Sequence, residues 1–172
     1  MSGARVLLGQ LEAPVHAFAA AARIVRDTGG LSVLNAAPAA ELPADVWAVV
    51  DLLIVNEHEA ADLAASGADL LDLVPAVLTT LGARGSRYVA RGRPELRVPA
   101  TPARAVDTTG AGDTYCWVLV AAIAGGLPMQ QAMRRAGAAA ALAVETAGAV
   151  PSIPVREAIE RRLAAAAAGQ AP

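Results

Sequence analysis

A chain of 172 residues, 55% hydrophobic, 3% aromatic and carrying a formal charge of −2, is long enough for one domain with a real core. With so few aromatics, that core is built from Ala, Val and Leu. The near-balanced charge excludes a nucleic-acid partner gripped by a basic face. All 14 cationic residues are Arg, which excludes a Walker-type phosphate lysine, a protein-kinase ATP lysine and Schiff-base chemistry. Cys116 alone excludes an internal disulfide and a Cys-rich zinc centre. The N-terminus lacks a signal-peptide pattern, and apolar runs such as Trp117–Ala124 are too short to span a bilayer. A soluble cytoplasmic protein is expected.

Arg5–Gln10 reads as a strand, Pro14–Asp27 as a helix with Pro in its first turn, and Thr28-Gly29-Gly30 as its stop. Leu31–Asn35 is a second strand, Ala44–Val50 a short helix, and Asp51–Val55 a third strand ending on Asn56. Asn56–Ala65 reads as a further short helix and Ala76–Leu81 as another buried strand. Ser86–Ala90 and Glu95–Pro99 alternate around Arg91-Gly92-Arg93-Pro94, the pattern of a hairpin. Helices are predicted over Asp113–Ala124, Met129–Glu145 and Arg156–Ala168, with Pro151-Ser152-Ile153-Pro154 an extended link between the last two. Residues 164–172 read as a fraying helix and loose tail. Wholly apolar strands separated by helices imply α/β order, a doubly wound, mostly parallel sheet covered on both faces.

Chemistry concentrates in Asp107-Thr108-Thr109-Gly110-Ala111-Gly112-Asp113-Thr114, a Gly-containing loop running into a helix. Amides at such a junction point outward together and attract an anion, and Gly110 and Gly112 let it approach the backbone. Asp113, near the positive end of the helix, is placed to stay ionised and accept a proton. An anion cradle beside a base is what phosphoryl transfer to an alcohol requires. The plainer alternative makes Asp113 an N-cap and the glycines a turn. A dinucleotide fingerprint fits poorly, since its third glycine would fall at Tyr115.

The Asp107–Thr114 segment resembles the C-terminal signature of the ribokinase family of sugar kinases, the phosphofructokinase-B type. Other segments follow in that family's order: Gln10-Leu11-Glu12, Leu34-Asn35-Ala36-Ala37-Pro38-Ala39, Val55-Asn56-Glu57-His58-Glu59-Ala60, Thr80-Leu81-Gly82-Ala83-Arg84-Gly85, and Gly148-Ala149-Val150-Pro151-Ser152-Ile153-Pro154. The resemblance implies a ribokinase-like fold and an ATP-dependent sugar kinase, with ribose the favoured acceptor. It implies that Asp113 deprotonates the sugar's primary hydroxyl and that Gly110, Ala111 and Gly112 form an anion hole. It further implies that Thr80, Leu81, Gly82, Ala83, Arg84 and Gly85 line ATP with Asn56 nearby, Gly137 at an adenine-side position. Glu59 would organise Mg²⁺ through water, and Glu12 would touch the sugar. Asp107, Thr109, Ala143, Thr146, Gly148 and Ser152 would hold a monovalent cation such as K⁺, mostly through carbonyls.

Each role has a plainer rival. Asn56 and Glu59 also make a capping box, Thr80–Gly85 an ordinary turn, Glu12 a favourable helix start, and Cys116 a small buried residue. Glu57, His58, Glu59 and Asp62 read as a solvated helix face rather than a metal cluster.

Against the family pattern, the chain begins at mid-sequence, so the lid and most sugar contacts are expected to be missing. Arg5–Gln10 is then an open edge that offers a route to a homo-oligomer. The Asn56-to-Thr80 interval is short by a helix, which predicts a bare sheet face. Trp117 stands where the family has a small residue, which predicts overpacking costing ~1–3 kcal/mol. A non-catalytic remnant, binding nucleotide weakly or serving as a partner subunit, is therefore the alternative to an active kinase.

Overall fold

A computed structural model describes residues 3–67 and 69–168. The tail expected at 169–172 lies outside the described residues. The strands are β1 (Val6–Gln10), β2 (Leu31–Asn35), β3 (Leu52–Asn56), β4 (Ala76–Thr80), β5 (Ser86–Ala90) and β6 (Leu96–Val98). They form one mixed sheet in the order β1-β2-β3-β4-β5-β6, with β1 to β4 parallel. The helices are α1 (Val15–Asp27), α2 (Ala44–Trp47), α3 (Glu57–Leu63), α4 (Leu70–Leu73), α5 (Ala111–Ala124), α6 (Met129–Val144) and α7 (Arg156–Ala168). The chain folds as two compact units: the first runs to Gly82 and includes Arg87–Arg97, and the second comprises Ala83–Ser86 and the chain from Val98.

The first unit is α/β as the alternation predicts. Leu34, Leu53, Val55 and Val77 share one face of the sheet and pack with Phe18, Ala19 and Ala22 of α1 and Val46 of α2. Val33, Leu52, Ile54 and Leu78 alternate to the other face and are buried too, so these strands carry no polar stripe. α1 stops as its glycines require: Gly29 has φ +78, and the Gly30 amide returns to the Val25 carbonyl at 2.9 Å. Within β2, Ser32 is fully buried and satisfied, its amide and hydroxyl both bonding Asp51 Oδ2 at 2.9 Å.

The sheet face expected to be bare is not. Residues Leu70–Leu73 wind into the single turn of α4, capped by Asp69 through a 2.9 Å bond to the Leu71 amide, and Leu70, Leu71 and Leu73 pack on the core. One leucine-rich turn supplies apolar cover where a longer helix was expected. α2 also ends earlier than predicted, at Trp47, with Ala48–Val50 forming hydrogen-bonded turns.

The second unit packs helix on helix through small residues. Along α6, Ala132, Ala136, Ala138, Ala139 and Ala143 are fully buried, and Ile159 of α7 sits against Ala138 and Ala139. α5 buries Thr114, Tyr115, Cys116, Leu119, Val120 and Ala122, confirming Cys116 as a small core residue. Trp117 does not overpack this core; it is 59% exposed. Pro151–Pro154 is not simply extended either. The Ser152 amide and hydroxyl fold back on the carbonyls of Gly148 and Ala149, at 3.2 and 2.8 Å.

Because Leu53 is fully buried between α1, α2 and the neighbouring strands, Leu53→Ala is expected to destabilise the first unit by about 2–5 kcal/mol. Urea unfolding followed by far-UV circular dichroism would measure this; a loss below about 1 kcal/mol would contradict the assigned core.

Candidate functional site

In the first unit, the register aligns polar residues at the carboxyl ends of the parallel strands. Gln10 pairs with Asn35, and Asn56 with Thr80. Gln10, Asn35, Asn56 and Thr80 share one face by alternation, and open α/β sheets bind ligands outside these strand ends. Glu12 lies exposed in the turn just beyond β1. Asn35 is 6% exposed; it belongs to the Leu34–Ala39 motif, but its buried strand pattern masked it as a candidate.

Asn56 and Glu59 form the capping box. The Glu59 amide donates to Asn56 Oδ1 at 2.9 Å, and the Asn56 amide to Glu59 Oε2 at 2.7 Å. This fixes the Glu59 carboxylate at the mouth of α3 with one oxygen engaged. Glu57, His58 and Asp62 are exposed on the same helix, and the described residues contain no His, Cys, Asp and Glu group able to hold a metal ion.

Leu81 and Gly82 close this stretch of the first unit, and the second unit holds the remaining candidates. Gly82–Arg84 is a 3₁₀ turn, and Gly82, Ala83 and Arg84 are exposed. Gly85 has φ +94, and a Cβ there would lie 2.0 Å from the Val98 carbonyl oxygen, so the fold itself demands glycine. Its buried neighbour Ser86 accepts a 2.8 Å hydrogen bond from the Tyr115 hydroxyl, and burial pushes that phenol up to about 12. Sequence reading missed this brace between the 83–86 turn and α5, since neither residue belongs to a motif.

α5 begins two residues earlier than predicted. Gly110 is the N-cap in left-handed conformation (φ 76), no side chain caps the helix, and Thr114 N donates to Gly110 O at 2.9 Å. Asp113 is therefore in the first turn and is not the N-cap. Gly112 and Asp113 are exposed, and a Cβ on Gly112 would meet nothing within 4 Å. The Ala111 amide closes onto the Thr108 carbonyl at 3.2 Å, which turns it into the loop. Gly110 packs closely, its added Cβ falling 3.1 Å from that of Ala149.

Asp107 ties the cradle loop to the 146–152 turn. Its Oδ2 accepts the Gly148 amide at 2.8 Å and its Oδ1 the Thr109 amide at 2.9 Å. These amides, with the Thr109 hydroxyl, hold the carboxyl down to about 2. The Ala143 carbonyl accepts from Thr146 N at 3.1 Å, and Ser152 is buried. Gly137, midway along α6, faces only Thr101 Oγ1, 3.9 Å from a built Cβ, so packing does not require glycine there.

The α/β sheet of the first unit thus carries polar strand ends, and the second unit carries a Gly-lined helix start with an exposed carboxylate. The chain belongs to the pfkB family of carbohydrate kinases, whose sequence profile matches residues 1–156. It is 36% identical over 168 residues to the bifunctional ribokinase/ribose-5-phosphate isomerase A of Fructilactobacillus sanfranciscensis, covering 89% of this chain and 31% of that one. It is 33% identical over 169 residues to the ribokinase of Schizosaccharomyces pombe, covering 90% of this chain and 53% of that one. Its fold is similar to Arabidopsis thaliana ribokinase complexed with ribose and ATP, with a TM-score of 0.85, 29% identity, and 92% and 55% of the two chains covered. The chain thus spans about half the length, or less, of the relatives it matches.

The Asp107 bonds give a pH test. Its folded-state value lies below the ordinary 3.8, so these bonds stabilise fully above that value and their contribution drains away as pH falls toward about 2. The stability difference between wild type and Asp107→Asn is expected to shrink over that acid window. Urea unfolding of both proteins at stepped pH measures it; a difference independent of pH would contradict the geometry.

Proposed function

We propose that the chain carries out the phosphoryl-transfer chemistry of an ATP-dependent sugar kinase, passing the γ-phosphoryl of ATP to a sugar primary hydroxyl. Asp113 takes the hydroxyl proton, the freed oxygen attacks the γ-phosphorus, the bond to the β-phosphate oxygen breaks, and ADP leaves. Amides at Gly110 and Gly112 receive the charge on the transferring oxygens, with Gly112 the more open, while Ala111 lines the hole between them with its own amide turned to the Thr108 carbonyl. Asn56, Thr80, Leu81, Gly82, Ala83, Arg84 and Gly85 hold the nucleotide, with Gly137 on its adenine side. Glu12 contacts the acceptor. Ribose is the favoured sugar because the Arabidopsis relative is described with ribose and ATP.

Gly112 carries this reading most directly. In the first turn of a helix, glycine sacrifices up to about 1 kcal/mol against alanine. Neither a positive φ nor a neighbour within 4 Å requires it there. Close approach of a ligand to the backbone accounts for the choice.

The donor sets suit the implied ions. The Glu59 carboxylate at the mouth of α3 fits a hard divalent cation reached through water. Asp107, Thr109, Ala143, Thr146, Gly148 and Ser152 offer hard oxygen donors, mostly carbonyls, beside an ionised carboxylate, as a monovalent cation requires. When bound, Mg²⁺ neutralises charge on the ATP phosphates. β1, at the end of the strand order, is also proposed as an edge through which a second copy associates.

Gly112→Ala is expected to leave the melting temperature unchanged or slightly raised while weakening Mg·ATP binding at least about tenfold by isothermal titration. Unaltered affinity would remove Gly112 from the site. In a coupled ADP-release assay with ribose, Asp113→Asn is expected to lower sugar-dependent turnover by about 10²–10⁴. Turnover that survives the substitution would take the base role from Asp113, and Mg·ATP binding without turnover in the wild type would leave a nucleotide-binding chain.

A further inference from the structure

The cradle loop is held from outside by a helix that lies almost wholly beyond the family match, which ends at residue 156. Arg162 on α7 reaches across with both terminal guanidinium nitrogens. Nη2 binds Glu145 Oε2 at 2.5 Å, and Nη1 donates to the Pro102 carbonyl at 3.1 Å. The other Glu145 oxygen accepts the Arg104 amide at 3.4 Å. Immediately before it, the Val144 carbonyl accepts the amides of Val106 and Asp107 at 2.7 and 3.1 Å. Asp107 then grips Gly148 and Thr109, and Gly110 lies against Ala149. An unbroken run of bonds therefore joins Arg162 to the residue that caps α5.

We infer that Arg162, acting through Glu145, is a positioning residue that sets the 102–109 segment and hence the orientation of the Gly110–Asp113 cradle. The inference rests on the phosphoryl-transfer reading of that cradle. Arg162 suits the task because its planar fork meets a carboxylate and a carbonyl at once, which a single ammonium matches poorly. The pair is partly shielded, with side chains 24% and 31% exposed, so solvent screens it less than a fully open surface bridge. The Arg162 hydrogen bond also draws the Glu145 carboxyl below its usual range. Apart from the Val144 carbonyl, the segment it holds lies open: Pro102, Ala103, Arg104, Ala105 and Val106 are all exposed.

α7 carries its own control. Arg135 and Glu160 form a second α6–α7 ion pair at 2.6 Å, with Glu160 53% exposed, that is not a link in this run of bonds. A purely structural role for α7 makes the two pairs equivalent; positioning makes them different.

Three variants of the full chain, Arg162→Ala, Arg162→Lys and Glu160→Gln, would be titrated with Mg·ATP well below their melting temperatures. The expected result is an affinity loss of about ten- to a hundredfold for Arg162→Ala, partial recovery in Arg162→Lys, and a change within about twofold for Glu160→Gln. Equal affinity for Arg162→Ala and wild type, or equal losses for Arg162→Ala and Glu160→Gln, would overturn the inference. Failure of the wild type to bind Mg·ATP would instead sink the kinase reading. Positioning would then be read in the ligand-free proteins from the amide resonances of Gly110 and Gly148. Arg162→Ala must move these and Glu160→Gln must not; any other pattern overturns it.

Discussion

The proposed chemistry depends on how α5 begins. A helix leaves its first amides without intrahelical partners, and most proteins satisfy one with a Ser, Thr, Asp or Asn cap. This chain places Gly110 there instead, in left-handed conformation and with no side-chain cap. The helix end is thereby left polar, positive and approachable through Gly112. Much of the second unit serves that arrangement: Asp107 bolts the loop to the 146–152 turn, α6 offers the Val144 carbonyl to it, and Tyr115 holds α5 to Ser86.

The first unit supplies a different kind of order. Its strands are buried on both faces, so the register is pinned by packing and the polar residues at their carboxyl ends come to lie on one face. Asn56 both ends β3 and caps α3, and in doing so it fixes Glu59. A capping box and a site residue are therefore not competing descriptions; the box pre-orients the carboxylate that the proposed function needs.

Most of the fold was legible because its signals are local. Alternation of apolar runs with 3.6-period segments located the strands and the long helices to within a residue or two, and Arg156–Ala168 to the residue. The errors came where tertiary contacts decide. Leu70, Leu71 and Leu73 look like loop until the core accepts them. Asp113 resembles an N-cap until the backbone at Gly110 starts the helix earlier. Trp117 reads as an overpacked core residue but lies on the outer face of α5. The candidate residues were legible as motifs, whereas Ser86 with Tyr115 and Arg162 with Glu145 were not. Those pairs are 29 and 17 residues apart, and no local pattern announces them.

The most direct measurement is a ¹⁵N–¹H correlation spectrum of the chain titrated with Mg·ATP. Saturable shifts of the Gly110, Gly112 and Asp113 amides are predicted, because the proposed function has these groups receive the phosphates. Saturable nucleotide binding that leaves those three resonances unmoved would contradict the account.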